Sequence, residues 1–268
     1  MVLVDSHCHL DFEAFDVDRS RVIERAFSEG VETIVNPSID LENATKVVGL
    51  AEEFENVYAA VGVHPNSSTH WNDECLKAIK GWARNPKVVA VGEIGLDYFR
   101  KMAPFALQKE VIWAQLKLAA ELELPVIIHN REAEQDVIEI LMDWYEDLVR
   151  DGSPLADRPG VLHSYSGNRD MVKRAVESNF LIGFTGPITF KNAVGTREIA
   201  AAVPIENILI ETDSPFLTPH PYRGERNEPE RVKLIAEKIA EVKQIPFSSV
   251  ATTTTANAQR LFGFGEKR

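Results

Sequence analysis

The sequence predicts an α/β fold, specifically a (β/α)8 TIM barrel, from three features of its pattern. Short apolar, β-branched runs alternate with amphipathic stretches from one end to the other, the signature of βαβ units and a parallel sheet. About eight such runs occur, the number a closed barrel needs. Most of them end in a polar residue, as expected where the C-terminal ends of parallel strands meet on one rim.

The strand candidates are residues 2–6, 32–36, 57–61, 88–92, 125–128, 160–162, 180–184 and 208–211. Between the first two, residues 20–29 carry Val22, Ile23, Ala26 and Phe27 at helical spacing, and Gly30 follows as a helix stop. Residues 41–54 form the next helix, with Asp40 as N-cap. The longest helix covers 105–122, and Val137, Ile138, Leu141, Met142 and Tyr145 mark the one after it. Asn168 caps a helix holding Met171, Val172, Ala175 and Val176, while residues 151–159 have the Gly, Ser, Pro and Asp content of a loop. Helices at 229–242 and 248–262 close the chain. The last contains four successive threonines, Thr252 to Thr255, which are poor helix formers, so its helicity depends on tertiary packing.

With 268 residues and 44% hydrophobic content the chain can bury a large core, and no repeat, low-complexity tract or linker divides it. The expected organisation is one domain over residues 1–268. Its two cysteines, Cys8 and Cys75, lie far apart, so neither a disulfide framework nor a thiolate zinc site is indicated. The start has no basic n-region or long apolar h-region, and no later stretch approaches membrane-spanning length. A cytoplasmic protein is the expectation, with no membrane association and no obligate protein partner evident.

A formal net charge of −12 argues against duplex binding over the whole surface, which requires many Lys and Arg contacts to phosphates. A local basic rim is compatible with it. Arg100, Lys101, Arg131, Lys191, Arg223 and Arg226 all follow predicted strands and could ring one mouth of the barrel.

Six metal-ligand side chains occupy strand ends: His7, His9, Glu93, His129, His163 and Asp213. His7 and His9 are one residue apart in extended chain, where i and i+2 share a face, so both imidazoles can reach one ion. Cys8 between them points the other way, a small buried side chain. Glu93 directly follows a buried strand, and a carboxylate there needs a partner, a need that a bridging position between two cations would meet. His129 and His163 each follow an apolar run, and imidazole suits zinc, manganese and iron. Asp213 is placed both to ligate and to take a proton from water. Glu211 shares its face but sits deeper, as a supporting carboxylate. His64, in Gly62-Val63-His64-Pro65, reads equally as a substrate contact or a local structural residue, whereas His70 and His220 fall in loop sequence.

Several histidines and two carboxylates, with Glu93 shared, suit two nearby divalent ions that clamp a substrate oxygen and hold a hydroxide for attack. Phosphodiester hydrolysis fits that layout. Asp213 and Glu93 are the catalytic candidates, with Arg131 and Arg223 neutralising phosphate charge.

With those residues in hand, the sequence closely resembles the TatD-type metal-dependent deoxyribonucleases of the amidohydrolase-like barrel group, almost end to end. The shared segments are Asp5-Ser6-His7-Cys8-His9-Leu10-Asp11, Gly62-Val63-His64-Pro65, Gly92-Glu93-Ile94-Gly95-Leu96-Asp97-Tyr98 and Leu124-Pro125-Val126-Ile127-Ile128-His129-Asn130-Arg131-Glu132. They continue with Gly160-Val161-Leu162-His163-Ser164-Tyr165-Ser166-Gly167, Glu211-Thr212-Asp213-Ser214-Pro215-Phe216-Leu217-Thr218-Pro219, Arg223-Gly224-Glu225-Arg226-Asn227-Glu228-Pro229 and Asn257-Ala258-Gln259-Arg260-Leu261-Phe262-Gly263. Asn130 stands where the family commonly has Ser, and Ser164-Tyr165 where it commonly has Cys-Phe; neither departure touches a proposed ligand.

The resemblance implies a first ion held by His7, His9, Glu93 and Asp213 and a second by Glu93, His129 and His163. It also implies a 3′-5′ exonuclease type of activity on DNA, taken as single strands or ends, with Mg2+ or Mn2+ in function and Zn2+ as an alternative. Two other readings stand beside it. One is a hydrolase of a small ester, lactone, amide or phosphotriester on the same scaffold. The other is a binding protein that keeps its metals structurally, although a carboxylate-containing set with open positions differs from closed structural zinc sites.

Overall fold

A computed structural model describes residues 1–265. Eight parallel strands follow one another in sequence order around the sheet: β1 (Leu3–Asp5), β2 (Val31–Pro37), β3 (Val57–Val61), β4 (Val88–Asp97), β5 (Val126–Arg131), β6 (Gly160–Leu162), β7 (Leu181–Phe184) and β8 (Ile208–Ile210). Helices connect them: α1 (Arg19–Ser28), α2 (Leu41–Glu53), α3 (Asp73–Trp82), α4 (Phe105–Leu122), α5 (Glu134–Arg150), α6 (Arg169–Glu177), α7 (Val194–Ala202), α8 (Val232–Lys243) and α9 (Phe247–Phe262). The TIM-barrel class expected from the alternating pattern is the one found.

Local signals explain most elements. Asp40 caps α2 by accepting from Asn43 N–H at 2.8 Å, and Asn168 caps α6 by accepting from Met171 N–H at 2.9 Å. Gly30 has φ +94 just beyond α1, in the left-handed region that ends helices at little cost to glycine. Two helices were not anticipated, α3 and α7. Both are short; α3 buries only Cys75 and Ile79, and α7 only Ile199 and Ala200, which is too few apolar positions to show a period.

Two apolar layers hold the barrel together. The larger packs the helices on the outside of the sheet and includes Ile23, Val47, Ile79, Ile112, Leu141, Trp144 and Phe180. The smaller draws on every strand, through Val4, Val35, Ala60, Ala90, Ile127, Val161, Leu181 and Leu209, and fills the interior. Ala258, Leu261 and Phe262 of α9 join that inner layer. Arg158 donates to Leu261 O at 3.0 Å and Thr255 to Val2 O at 3.1 Å, so α9 lies across the N-terminal mouth.

Packing of α9 on the barrel thus overrides the local preference of the four threonines; Thr254 alone of them is buried, its hydroxyl bonded to Val250 O within the helix at 2.9 Å. Asn257 ties α9 to β8, its amide donating at 2.9 Å to both Ile205 O and Ile208 O. Replacing it strands two carbonyls away from water. Asn257→Leu should therefore lower stability by about 2–3 kcal/mol in urea unfolding.

The sheet closes between β8 and β1 through a short seam rather than a ladder. Ser6 N–H reaches Ile210 O at 3.2 Å, Asp213 N–H reaches His7 O at 2.8 Å, and His9 N–H reaches Ser214 O at 2.8 Å. Asp5, fully buried, accepts from Thr212 N–H at 2.8 Å and from the Thr212 hydroxyl at 2.5 Å. Its burial pushes its carboxyl up to about 8, against the pull of those two donors.

Candidate metal centre

The six predicted ligands all come to the C-terminal rim. His7 and His9 lie in the extended segment after β1, with Cys8 turned away and fully buried. His163 follows β6, and Asp213 follows β8 by three residues. Two positions differ from expectation: Glu93 and His129 lie within β4 and β5 rather than beyond their ends. β4 pairs Val91 with Val126 and Ile94 with Ile128, three steps against two, so it carries one extra residue at Gly92–Glu93. Such a bulge re-aims a side chain without ending the strand, and here the re-aimed side chain is Glu93.

Glu93 divides its two oxygens between two groups of ligands. Oε2 stands 3.5 Å from His7 Nε2 and 3.7 Å from His9 Nε2. Oε1 stands 2.8 Å from His129 Nδ1 and 3.8 Å from His64 Nε2. In the first group Asp213 Oδ1 lies 3.7 Å from His7 Nε2, 3.6 Å from His9 Nε2 and 3.7 Å from His163 Nε2. The rings of His7 and His163 stack with centroids 3.4 Å apart. Thus His163 stands with His7, Glu211 and Asp213, whereas His64 takes the third place beside Glu93 and His129. The resemblance had grouped His163 with Glu93 and His129, and the sequence left the role of His64 open.

Supporting carboxylates set the ring orientations. Glu211 accepts from His163 Nδ1, which leaves Nε2 facing Asp213. Gly183 of β7 makes room for it, since a Cβ there would collide with Glu211 Oε1. Asp97, buried at the end of β4, stands 3.3 Å from His129 Nε2 and is itself held by Arg100 N–H at 2.7 Å. The sequence reading gave Asp97 no role. Its place on the same face as Glu93, four residues along one strand, emerges only because β4 runs on past the bulge to Asp97.

The charge balance shows what these groups lack. His7 is pushed well below the usual imidazole range by burial and by its neighbour His163, and His64 falls to about 3 through burial and His129. Burial alone would raise Glu93, but His7, His129 and His64 hold it well below the usual carboxylate range. Burial would lower His163 and His129 too, yet Glu211 lifts the first to about 10, and Asp97 with Glu93 lifts the second to about 8. Asp213 is raised to about 6 by burial, against the pull of His163 and His9. In the absence of another cation, protons on imidazoles balance the carboxylates.

A divalent cation fits these donors. His7 Nε2 and His9 Nε2 face each other at 3.2 Å, where only one of two neutral rings can donate to the other. Ligands bonded to one ion at about 2.1 Å stand about 3.0–3.4 Å apart. The separations of 3.2–3.7 Å among His7, His9, Glu93 and Asp213 are close to that span. The donor set, imidazole with carboxylate and no thiolate, suits zinc, manganese or magnesium.

The family model for TatD-related DNases matches residues 4–263. The chain belongs to the TatD family. Within it, the chain is 44% identical to an uncharacterized metal-dependent hydrolase, YabD, of Bacillus subtilis, over 97% of this chain and 99% of that protein. It is 34% identical to a protein of Escherichia fergusonii named 3′-5′ ssDNA/RNA exonuclease TatD, over 97% of this chain and 99% of that one. The crystal structure of YjjV, a TatD homologue from Escherichia coli, superposes with a TM-score of 0.89 at 34% identity, covering 97% of this chain and 98% of that one. The TatD family places this chain among metal-dependent hydrolases on a TIM barrel.

Two outcomes follow for metal binding. Ligation requires His129 and His163 to give up protons held near pH 7, so affinity should rise with pH, and calorimetry in buffers of different ionisation enthalpy should show net proton release. Glu211→Gln, which weakens the hold on the His163 ring, should reduce metal affinity by about 10–100-fold in the same titration.

Proposed function

We propose that the chain is a metal-dependent deoxyribonuclease that hydrolyses phosphodiester bonds from the 3′ end of DNA, taking single strands or frayed ends, with two divalent cations, Mg2+ or Mn2+ before Zn2+. A single domain spanning residues 1–268, working in the cytoplasm, would carry the activity. The observation behind this reading is the divided Glu93 carboxylate, one oxygen toward His7 and His9 and the other toward His129 and His64. A carboxylate so shared suits a pair of ions, the arrangement used for in-line displacement at phosphorus. The name of the Escherichia fergusonii relative supports the same chemistry.

His7, His9, Glu93 and Asp213 would hold one cation and Glu93 with His129 the other, with His163 Nε2 as a further ligand beside Asp213 and His64 flanking them. When bound, divalent cations supply Lewis acidity that activates water and draws charge from phosphoryl oxygens. The remaining roles fall to the chain itself. Asp213, its carboxylate at the rim 3.6–3.7 Å from the Nε2 atoms of His7, His9 and His163, accepts a proton from the attacking water. His64, half-buried beside the His129 ring at 4.4 Å between centroids, borders the space where substrate enters.

Among the arginines and lysines of the rim, ion pairing separates two classes. Arg226 is spent on structure, its guanidinium bonded to Asp18 through two contacts of 2.8 Å and to Glu228 at 2.7 Å. Arg131 and Arg223 have no carboxylate within salt-bridge distance among the described residues; each rests on a phenylalanine, 4.0 Å above the rings of Phe99 and Phe190. Those two guanidinium groups are free to bind phosphate oxygens.

The deciding experiment incubates the purified protein with end-labelled single- and double-stranded oligonucleotides in Mg2+, Mn2+ or chelator. A metal-dependent ladder shortening from the 3′ end is expected; inertness toward every nucleic acid, with turnover of a lactone or phosphotriester, would replace this reading. The His7→Ala/His9→Ala double variant should lose metal-dependent turnover while keeping its circular dichroism spectrum. Arg131→Ala and Arg223→Ala should each raise KM about tenfold, the loss of one charge-assisted hydrogen bond, and flatten its dependence on salt.

A further inference from the structure

Phe216 is a large apolar side chain left 50% exposed, and it sits three residues from Asp213. Its backbone is anchored rather than mobile. Phe216 N–H donates to Asp213 O at 2.8 Å, and the buried Asn227 amide donates to Phe216 O at 2.7 Å and to Thr212 O at 2.9 Å. The ring is held as well as the chain. Phe12 meets it edge-on, with centroids 5.7 Å apart at 80°, and Phe12 in turn stacks on His9 at 4.7 Å. The His9 ring is 6.5 Å from Phe216, and its Nε2 is one of the clustered donor atoms. A fixed aromatic face therefore stands beside the donor cluster with nothing from this chain stacked over it among the described residues.

A ring in that position, 6.5 Å from the His9 ring, would accept a flat apolar partner whose attached phosphate faces the donor cluster. Nucleobases have that shape, and in single strands their faces are available, whereas a duplex buries them. Arg131, at the end of β5, and Arg223, in the segment after β8, each seated on another phenylalanine, supply complementary charge on the rim in a chain of net −12.

We propose that Phe216, braced by Phe12, is the stacking platform for a base of the substrate strand, a subsite that gives preference for unpaired nucleotides without reading their sequence. This rests on the nuclease reading and adds to it a residue that selects single strands. Every base has a π-face, so the platform tolerates sequence while rejecting a strand that lacks bases.

The test compares two strands of equal length and charge, oligothymidylate and an oligomer of tetrahydrofuran abasic residues. Both carry cleavage-resistant phosphorothioate linkages, and affinity is read by fluorescence anisotropy with Mg2+ present. The wild-type protein should bind the base-bearing strand about tenfold more tightly, Phe216→Ala should lose most of that preference, and Phe216→Tyr should keep it. Equal affinity of the wild-type protein for the two strands, or an undiminished preference in Phe216→Ala, overturns the platform. So does failure to bind either strand, which removes the nuclease reading with it. Cleavage of ordinary oligothymidylate is followed in parallel: base-dependent binding without any cleavage leaves the platform standing and sinks the nuclease reading alone.

Discussion

The closure of β8 onto β1 is the constraint on which the site depends. Eight strands bring five ligand-bearing segments to one rim, but only this seam fixes Asp213 against His7 and His9, through backbone bonds of 2.8 Å on either side of Cys8. The seam is short because β1 and β8 have three residues each, so side chains complete it. Asp5 supplies both carboxylate oxygens to Thr212, two residues from the first histidine and one from the aspartate. A barrel of the same eight strands without that closure would hold the same side chains and lose their convergence.

Around the seam, unlike charges are packed at a density that water cannot screen. Glu93 and Asp213 are surrounded by imidazoles, some driven to the neutral form by burial and some held protonated by Glu211 and Asp97. Two classes of partner are therefore interchangeable here, protons on nitrogen or a cation between nitrogens and oxygens. The spacing of the donor atoms favours the second, and the supporting carboxylates fix which nitrogen of each ring is turned inward.

The fold was legible because alternation of strand and helix has a period that burial enforces, and the ligands were legible because polar residues at strand ends interrupt apolar runs. His7 and His9 were visible from spacing alone. What escaped was set by contacts between distant segments. The grouping of His163 with His7 depends on Glu211 and on the room left by Gly183, and the place of His64 depends on how the β3 loop leans toward β5. The bulge at Gly92–Glu93 leaves no mark in composition, so β4 ran five residues further than its apolar stretch indicated. The helix of threonines shows the opposite case, where local propensity pointed away from a structure that packing imposes.

The helix laid across the far mouth has a bearing on traffic. With Leu261 and Phe262 of α9 stoppering the N-terminal end and a layer of side chains from every strand filling the interior, the barrel is a cul-de-sac rather than a tunnel. Whatever reaches His7 and Asp213 enters and departs through the same doorway, so each reacted fragment must back out past the loops of the rim before another can take its place.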